Sequence, residues 1–157
     1  MNIPTNQLPT VIFLKQHGAQ FEGIKFTSDA ITAHDVASLF KRPLKQILKT
    51  ILLISKEKPI LAVIPSNKKL SFKKLKSLFN QKDLRLASPV EIKEITGYER
   101  GSVSPFGLKT PIEKVIDQSA FDEPVVNFGA GTTYTGIEMP AEEFKRVWDG
   151  IIADISA

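Results

Sequence analysis

The chain has 157 residues, 42% apolar and 24% charged, with a net charge of +4 and no cysteine. That size and balance suit one globular domain, residues 1–157, whose core needs no disulfide or metal staple. The missing cysteines exclude thiol catalysis and Cys-ligated zinc. The start "MNIPTNQLPT" has no apolar leader region, and the longest strongly apolar run, "ILLI" at 51–54, is too short to span a bilayer, so a cytoplasmic protein without membrane contact is expected.

In chain order, "LPTVIFLKQHG" predicts a first helix, with Val11, Leu14 and Lys15 at helical spacing and Gly18 at its end. "FEGIKFT" predicts a strand. "TAHDVASLF" predicts a helix capped by Thr32, with Asp35 completing the box and Val36, Leu39 and Phe40 as its apolar face; Pro43 is expected to stop it. "QILKTILLISKEKPILAVIPSN" predicts two central strands, 46–54 and 59–64, across a charged turn. "LSFKKLKSLFN" predicts a helix capped by Ser71, with Phe72, Leu75, Leu78 and Phe79 on one side and Lys73, Lys74 and Lys76 on the other. "SPVEIKEITG" predicts a further helix, with Ser88 as cap, Pro89 at its first position and Gly97 at its end. "IEKVIDQ", "PVVNFGAG" and "TTYTGIEM" predict three strands, and "PAEEFKRVWDGI" a closing helix from Pro140. Some strands are close enough for hairpins and others are separated by helices. The fold class is therefore α/β with a mixed sheet.

The charge is uneven. Residues 41–85 carry thirteen Lys or Arg against only Glu57 and Asp83, while the rest of the chain is net acidic. Such a segment reads either as a polyanion-facing side or as a solvated lysine-rich helix with loops.

Lys49 is unusual among its neighbours. It shares a strand face with Ile47, Ile51 and Leu53, where an ammonium is costly unless it reaches water or a partner. It is either an edge lysine that snorkels to solvent or a desolvated electrostatic anchor. "GYERGSVSPFGLK", 97–109, is rich in glycine and can present backbone N–H groups to a carbonyl, carboxylate or phosphate, or can be a plain connection; it lacks the GxGxxG and Walker spacings. "NFGAGTTYTG", 127–136, is a second glycine-bearing turn between strands that reads as a hairpin turn or as a site with Thr132, Thr133 and Thr135 as hydroxyl donors. His17 and His34 are not spaced as metal ligands, and Glu142 and Glu143 suit the first turn of a helix. No metal site and no cofactor motif is read.

Taken in order, "TAHDVASLF", "ILKTILLI", "LAVIPSNKKLSFKKL", "LASPVEIKEITGYERGSVSPFGL" and "VVNFGAGTTYTGIEM" resemble the YbaK-like aminoacyl-tRNA deacylases, relatives of the editing domain inserted in bacterial prolyl-tRNA synthetases. The resemblance covers roughly residues 20 to 148. It implies a compact domain with a mixed, partly barrel-like sheet flanked by helices, and hydrolysis of the ester joining a wrong amino acid to tRNA. Lys49 matches the family's essential strand lysine. Gly101 and Pro105 match the ends of its G-x-x-x-P loop, here "GSVSP", which approaches the aminoacyl group or the terminal adenosine. The resemblance thus implies catalytic roles for Lys49 and Gly101, and substrate contacts from Ser102, Val103, Ser104, Pro105, Gly129 and Gly131. The acceptor stem would meet Lys68, Lys69, Lys73 and Lys74. Some relatives carry His or Asp where this chain has Gly136, so no side-chain role is carried to that position. The expected activity is trans-editing of tRNA-Pro charged with a small residue, alanine or cysteine, with a prolyl-tRNA synthetase as a candidate partner. A non-catalytic tRNA- or synthetase-binding module of the same fold is the alternative.

Overall fold

Helix starts follow local capping chemistry. The computed structural model describes residues 5–29, 32–56 and 58–157. Glu57 of the expected charged turn and residues 1–4 lie outside the described residues. A 3-10 turn, Thr5–Gln7, leads into α1, Pro9–Gln16, and then β1, Glu22–Lys25. In α2, Ala33–Phe40, the Thr32 hydroxyl accepts from the Asp35 N–H and the Asp35 carboxylate accepts from the Thr32 N–H, both at 3.1 Å. This helix ends before Pro43, at Lys41, whose φ of +58° is left-handed. A 3-10 turn, Leu44–Gln46, follows, then the hairpin of β2, Leu48–Ser55, and β3, Lys58–Pro65. Next come α3, Phe72–Phe79, capped by Ser71; β4, Arg85–Leu86; and α4, Pro89–Thr96, with a capping box between Ser88 and Glu91. Arg85 also grips the Glu91 carboxylate at 2.7 Å, and this bond, with that from Ser88, holds its pKa down at about 2. The chain closes with β5, Glu113–Asp117; a 3-10 turn, Gln118–Asp122; β6, Val125–Gly129; β7, Thr135–Pro140; α5, Ala141–Val147; and β8, Ile151–Ala153. The short strands β4 and β8 have no pattern of their own in the sequence. Their partners define them.

Two sheets result. One is antiparallel, in the order β1-β7-β6. The other is mixed, in the order β4-β2-β3-β5-β8, with antiparallel pairs on the β4 side of β3 and parallel pairs on the β5 side. Among the described residues the sheets meet at one parallel bridge, Ile47 to Asn127. They do not close, so any barrel-like character is confined to that junction.

The faces of β2 and β3 alternate between two cores. Leu48 and Val63 join Val126, Phe128, Ile137 and Met139 of the first sheet, with Val11 and Leu14 of α1, Phe144 of α5 and Phe106. Leu53, Ala62, Ile64 and Val115 point the other way and are covered by Leu75 of α3 and by Ile155. Both faces being buried explains why these strands read as nearly continuous apolar runs. The expected stripe on α3 is narrower than its spacing suggests: Leu75 is fully buried but Leu78 is 40% exposed.

Candidate active site

The second sheet has a gap along one edge of β2. β3 pairs with β2 over its whole length. On the other edge, among the described residues, β4 pairs only with Leu53 and Ile54, and the bridge to β6 is at Ile47. Lys49 and Thr50 lie between those contacts. A cleft of about 220 Å³ opens there. Its walls are Thr32 and Val36 of α2, residues 47–50, Ser66 just beyond β3, Gly101, Ser102 and Val103 of the glycine-rich loop, and Gly129 at the end of β6.

Lys49 is half-buried in this cleft and makes no ion pair with any described residue. Burial, first, and repulsion from Lys69, second, push its pKa below the ordinary lysine value. It therefore stands at an open sheet edge, as one reading of the sequence allowed, but is desolvated there, as the other required.

The loop has two halves with different work. Residues 104–107 are fastened to the body of the protein. Ser104 is fully buried and its hydroxyl accepts from Thr10 Oγ1 at 2.6 Å. Tyr98 donates its hydroxyl to the Phe106 carbonyl at 2.7 Å. Lys114 donates to the Pro105 carbonyl at 2.7 Å. Gly107 packs on the start of α1, where a Cβ would come within 2.5 Å of the Pro9 carbonyl carbon, and its φ is +68°. Residues 101–103 face the cleft, with Gly101 exposed and at φ +83°. The Ser102 N–H is spent on the Glu99 carbonyl at 3.0 Å. Those of Gly101 and Val103 have no acceptor among the described residues.

Lys49, Gly101, Ser102, Val103 and Gly129 are thus brought together, and three other sequence candidates are not. Ser104 and Pro105 are buried behind the loop, where their polar groups serve Thr10 and Lys114. Gly131 packs on Tyr98: a Cβ there would meet the ring at 2.6 Å, and its φ is +105°. Gly129 is the opposite case, since a Cβ added there would meet nothing within 4 Å. At Gly136 a Cβ would lie 2.4 Å from the Phe40 ring and 2.8 Å from the Phe26 ring. These two rings, edge to face at 5.1 Å, fill the space a larger residue would need.

The basic segment is less concentrated in space than in sequence. Arg42, Lys45, Lys58, Lys74 and Arg85 pair with Glu138, Glu123, Glu113, Asp154 and Glu91, all from outside it. Lys74 is held further by the Ser156 carbonyl at 2.7 Å. Of the four lysines expected to meet tRNA, Lys74 is therefore occupied. Lys68, Lys69 and Lys73 have no ion pair among the described residues, and Lys69 is near enough to Lys49 to perturb it.

Thr32, Val36, Thr50 and Ser66 were not singled out by the sequence, because residues of three separate elements meet only in the folded chain. Lys114 did have a signal: it shares a strand face with Ile112 and Ile116, as Lys49 does with its neighbours. A larger concavity, about 630 Å³, lies elsewhere, and its cation, Arg42, is already paired with Glu138. Volume alone would choose it, but an unpaired cation beside free backbone donors favours the smaller cleft. No helix among the described residues is long and apolar enough to cross a membrane.

Comparison with known proteins places the fold. The chain is 27% identical, over 91% of its length and 89% of the relative's, to an Enterococcus faecalis protein named "Putative Cys-tRNA(Pro)/Cys-tRNA(Cys) deacylase EbsC". It is 30% identical, over 85% of its length, to a proline–tRNA ligase of Pediococcus pentosaceus, of which it spans only 24%. Among solved structures, hypothetical protein APE2540 superposes with a TM-score of 0.88 at 25% identity, covering 95% of this chain and 99% of that one. A structure titled "putative trans-editing enzyme for prolyl tRNA synthetase" gives 0.89 at 22% identity, covering 100% of this chain and 99% of that one, and so supports the fold alone. Residues 27–147, the stretch that holds every wall of the cleft, match the aminoacyl-tRNA editing domain, and the chain belongs to that family.

Proposed function

We propose that this chain is a trans-acting aminoacyl-tRNA deacylase that hydrolyses the ester of mischarged tRNA, with tRNA-Pro carrying alanine or cysteine as substrate. The observation that carries this reading is Lys49: an unpaired, partly desolvated ammonium in a cleft whose facing wall offers the free N–H groups of Gly101 and Val103.

An aminoacyl ester is already activated, so the site needs no strong protein nucleophile. Water adds to the acyl carbon, and the bond to the terminal ribose oxygen then breaks. The amino acid leaves as a carboxylic acid that ionises, and the ribose hydroxyl is restored. The protein's part is to hold the ester and stabilise the oxyanion that forms on addition. Lys49 does so by charge, and Gly101 and Val103 by N–H donation. In the resembled family the terminal adenosine's own hydroxyl has been proposed to assist attack, which suits a cleft lined by no carboxylate or histidine. A volume of about 220 Å³ admits a small aminoacyl group and acts as the sieve that editing needs. Lys68, Lys69 and Lys73 attract the acceptor end.

The test is deacylation of a panel of aminoacyl-tRNAs by wild type and Lys49→Ala. Loss of one such stabilising group is expected to lower the rate by at least about 100-fold. Binding of tRNA without hydrolysis of any of the panel would instead support the non-catalytic module. For the basic residues, affinity is expected to fall with salt, and each lysine removed should reduce the salt slope by about 1.

A further inference from the structure

Among the described residues the cleft wall holds one solvent-shielded hydroxyl that the protein does not use. Ser66 Oγ is shielded from solvent and has no hydrogen-bond partner among the described residues. Buried polar groups are nearly always satisfied, so a persistent exception asks what satisfies it. The serine's position is not accidental wobble at a strand end. Its N–H donates to the Ile47 carbonyl at 2.7 Å, which carries the β2–β3 ladder one step past the last paired residues.

The register places Ser66 beside Lys49. Lys49 lies opposite Ile64, and Ser66 is two residues beyond Ile64. The bond from the Ser66 N–H to the Ile47 carbonyl continues that register, so Lys49 and Ser66 are diagonal neighbours across the ladder, with α-carbons about 7–8 Å apart in such pairs. The two make no hydrogen bond with each other in the free protein, and one ligand oxygen between them can reach both. Both line the cleft. The cleft offers Lys49 as a donor, the free N–H groups of Gly101 and Val103 as donors, and no carboxylate. Such a set is complementary to an acceptor oxygen, and a hydroxyl among them is best used as one more donor.

We propose that Ser66 is a further substrate-contacting residue, donating its hydroxyl to the acyl oxygen that Lys49 attracts, so that the bond missing in the free protein is made in the bound one. This inference rests on the deacylase reading above. It has a signature that a merely structural serine lacks. In the free protein the hydroxyl has no partner to lose, so Ser66→Ala should leave thermal stability unchanged or raise it, while deacylation falls.

The experiment measures kcat and KM for the best substrate of the panel, with Tm, for wild type, Ser66→Ala, Ser66→Thr and Lys49→Ala. The expected result is a drop of about 10-fold or more in kcat for Ser66→Ala with an undiminished Tm, and recovery of most of that loss by the hydroxyl of Ser66→Thr. Full activity of Ser66→Ala, in a protein that Lys49→Ala disables, overturns this proposal and leaves the deacylase reading standing. So does a drop in activity matched by a drop in Tm and not recovered by Ser66→Thr. A wild type that hydrolyses none of the panel overturns both.

Discussion

Lys114 reaches across from β5 to donate its ammonium to the Pro105 carbonyl at 2.7 Å, tying the parallel part of the sheet to the end of the glycine-rich loop. The lysine is only 4% exposed. It also pairs with Asp149 and lies 4.8 and 4.5 Å from the ring centres of Phe106 and Trp148. Burial pushes its pKa down, against the upward pull of Asp149. Lys114→Met keeps the apolar stem but removes the donor. It should cost about 1–3 kcal/mol, read as a lower urea midpoint. The loop half that faces the cleft should loosen with it, so kcat is expected to fall as well.

Lys69 repels Lys49, and that repulsion supports a pH prediction. In its proposed role as an oxyanion stabiliser Lys49 works in its charged form, so the rate above the uncatalysed background should be lost as pH rises through its lowered pKa. Removing the neighbouring charge raises that pKa. Lys69→Gln is therefore expected to move the alkaline limb of kcat/KM to higher pH. A limb that stays in place, or moves down, would mean that this limb does not report Lys49.

Gly129 lines the cleft, and a Cβ there would meet nothing within 4 Å. Gly129→Ala should change stability by less than about 0.5 kcal/mol. It narrows the sieve, so the larger accepted aminoacyl group should lose more in kcat/KM than the smaller. The ratio of the two, measured on cysteinyl- and alanyl-tRNA, checks this directly.

Gly136 is constrained by packing. With a Cβ 2.4 Å from the Phe40 ring, Gly136→Ala must displace it. Overpacking of this kind costs about 1–3 kcal/mol. Phe40→Leu in the same chain should recover part of the loss, because it removes the atoms in conflict. A double-mutant cycle on denaturation midpoints measures that coupling, and strict additivity would refute it.

Much of the secondary structure was legible because local chemistry decides it. The boxes at Thr32 and Ser88 mark where α2 and α4 begin, since a cap needs only residues three apart. The apolar runs of β2 and β3 reveal central strands because both of their faces are covered. β4 and β8 were missed for the complementary reason: two or three residues hold no periodicity, and only the partner strand makes them strands.

The site divides in the same way. Lys49 was conspicuous because a lone charge among isoleucines and leucines is a conflict within a few residues of sequence. The glycines of the 97–109 loop were conspicuous as a group, yet composition could not say which half faced a ligand. The tertiary structure decided it. Thr10, distant in sequence, acts with Tyr98 and Lys114, eight and nine residues from their partners, to fasten residues 104–107 and leave 101–103 to the cleft. The orphaned hydroxyl of Ser66 and the neutralised part of the basic segment were also beyond the sequence. Whether a hydroxyl has a partner, or a lysine a carboxylate, depends on which segments fold back upon it. Local propensity follows from neighbours along the chain, whereas satisfaction and desolvation follow only from neighbours in space.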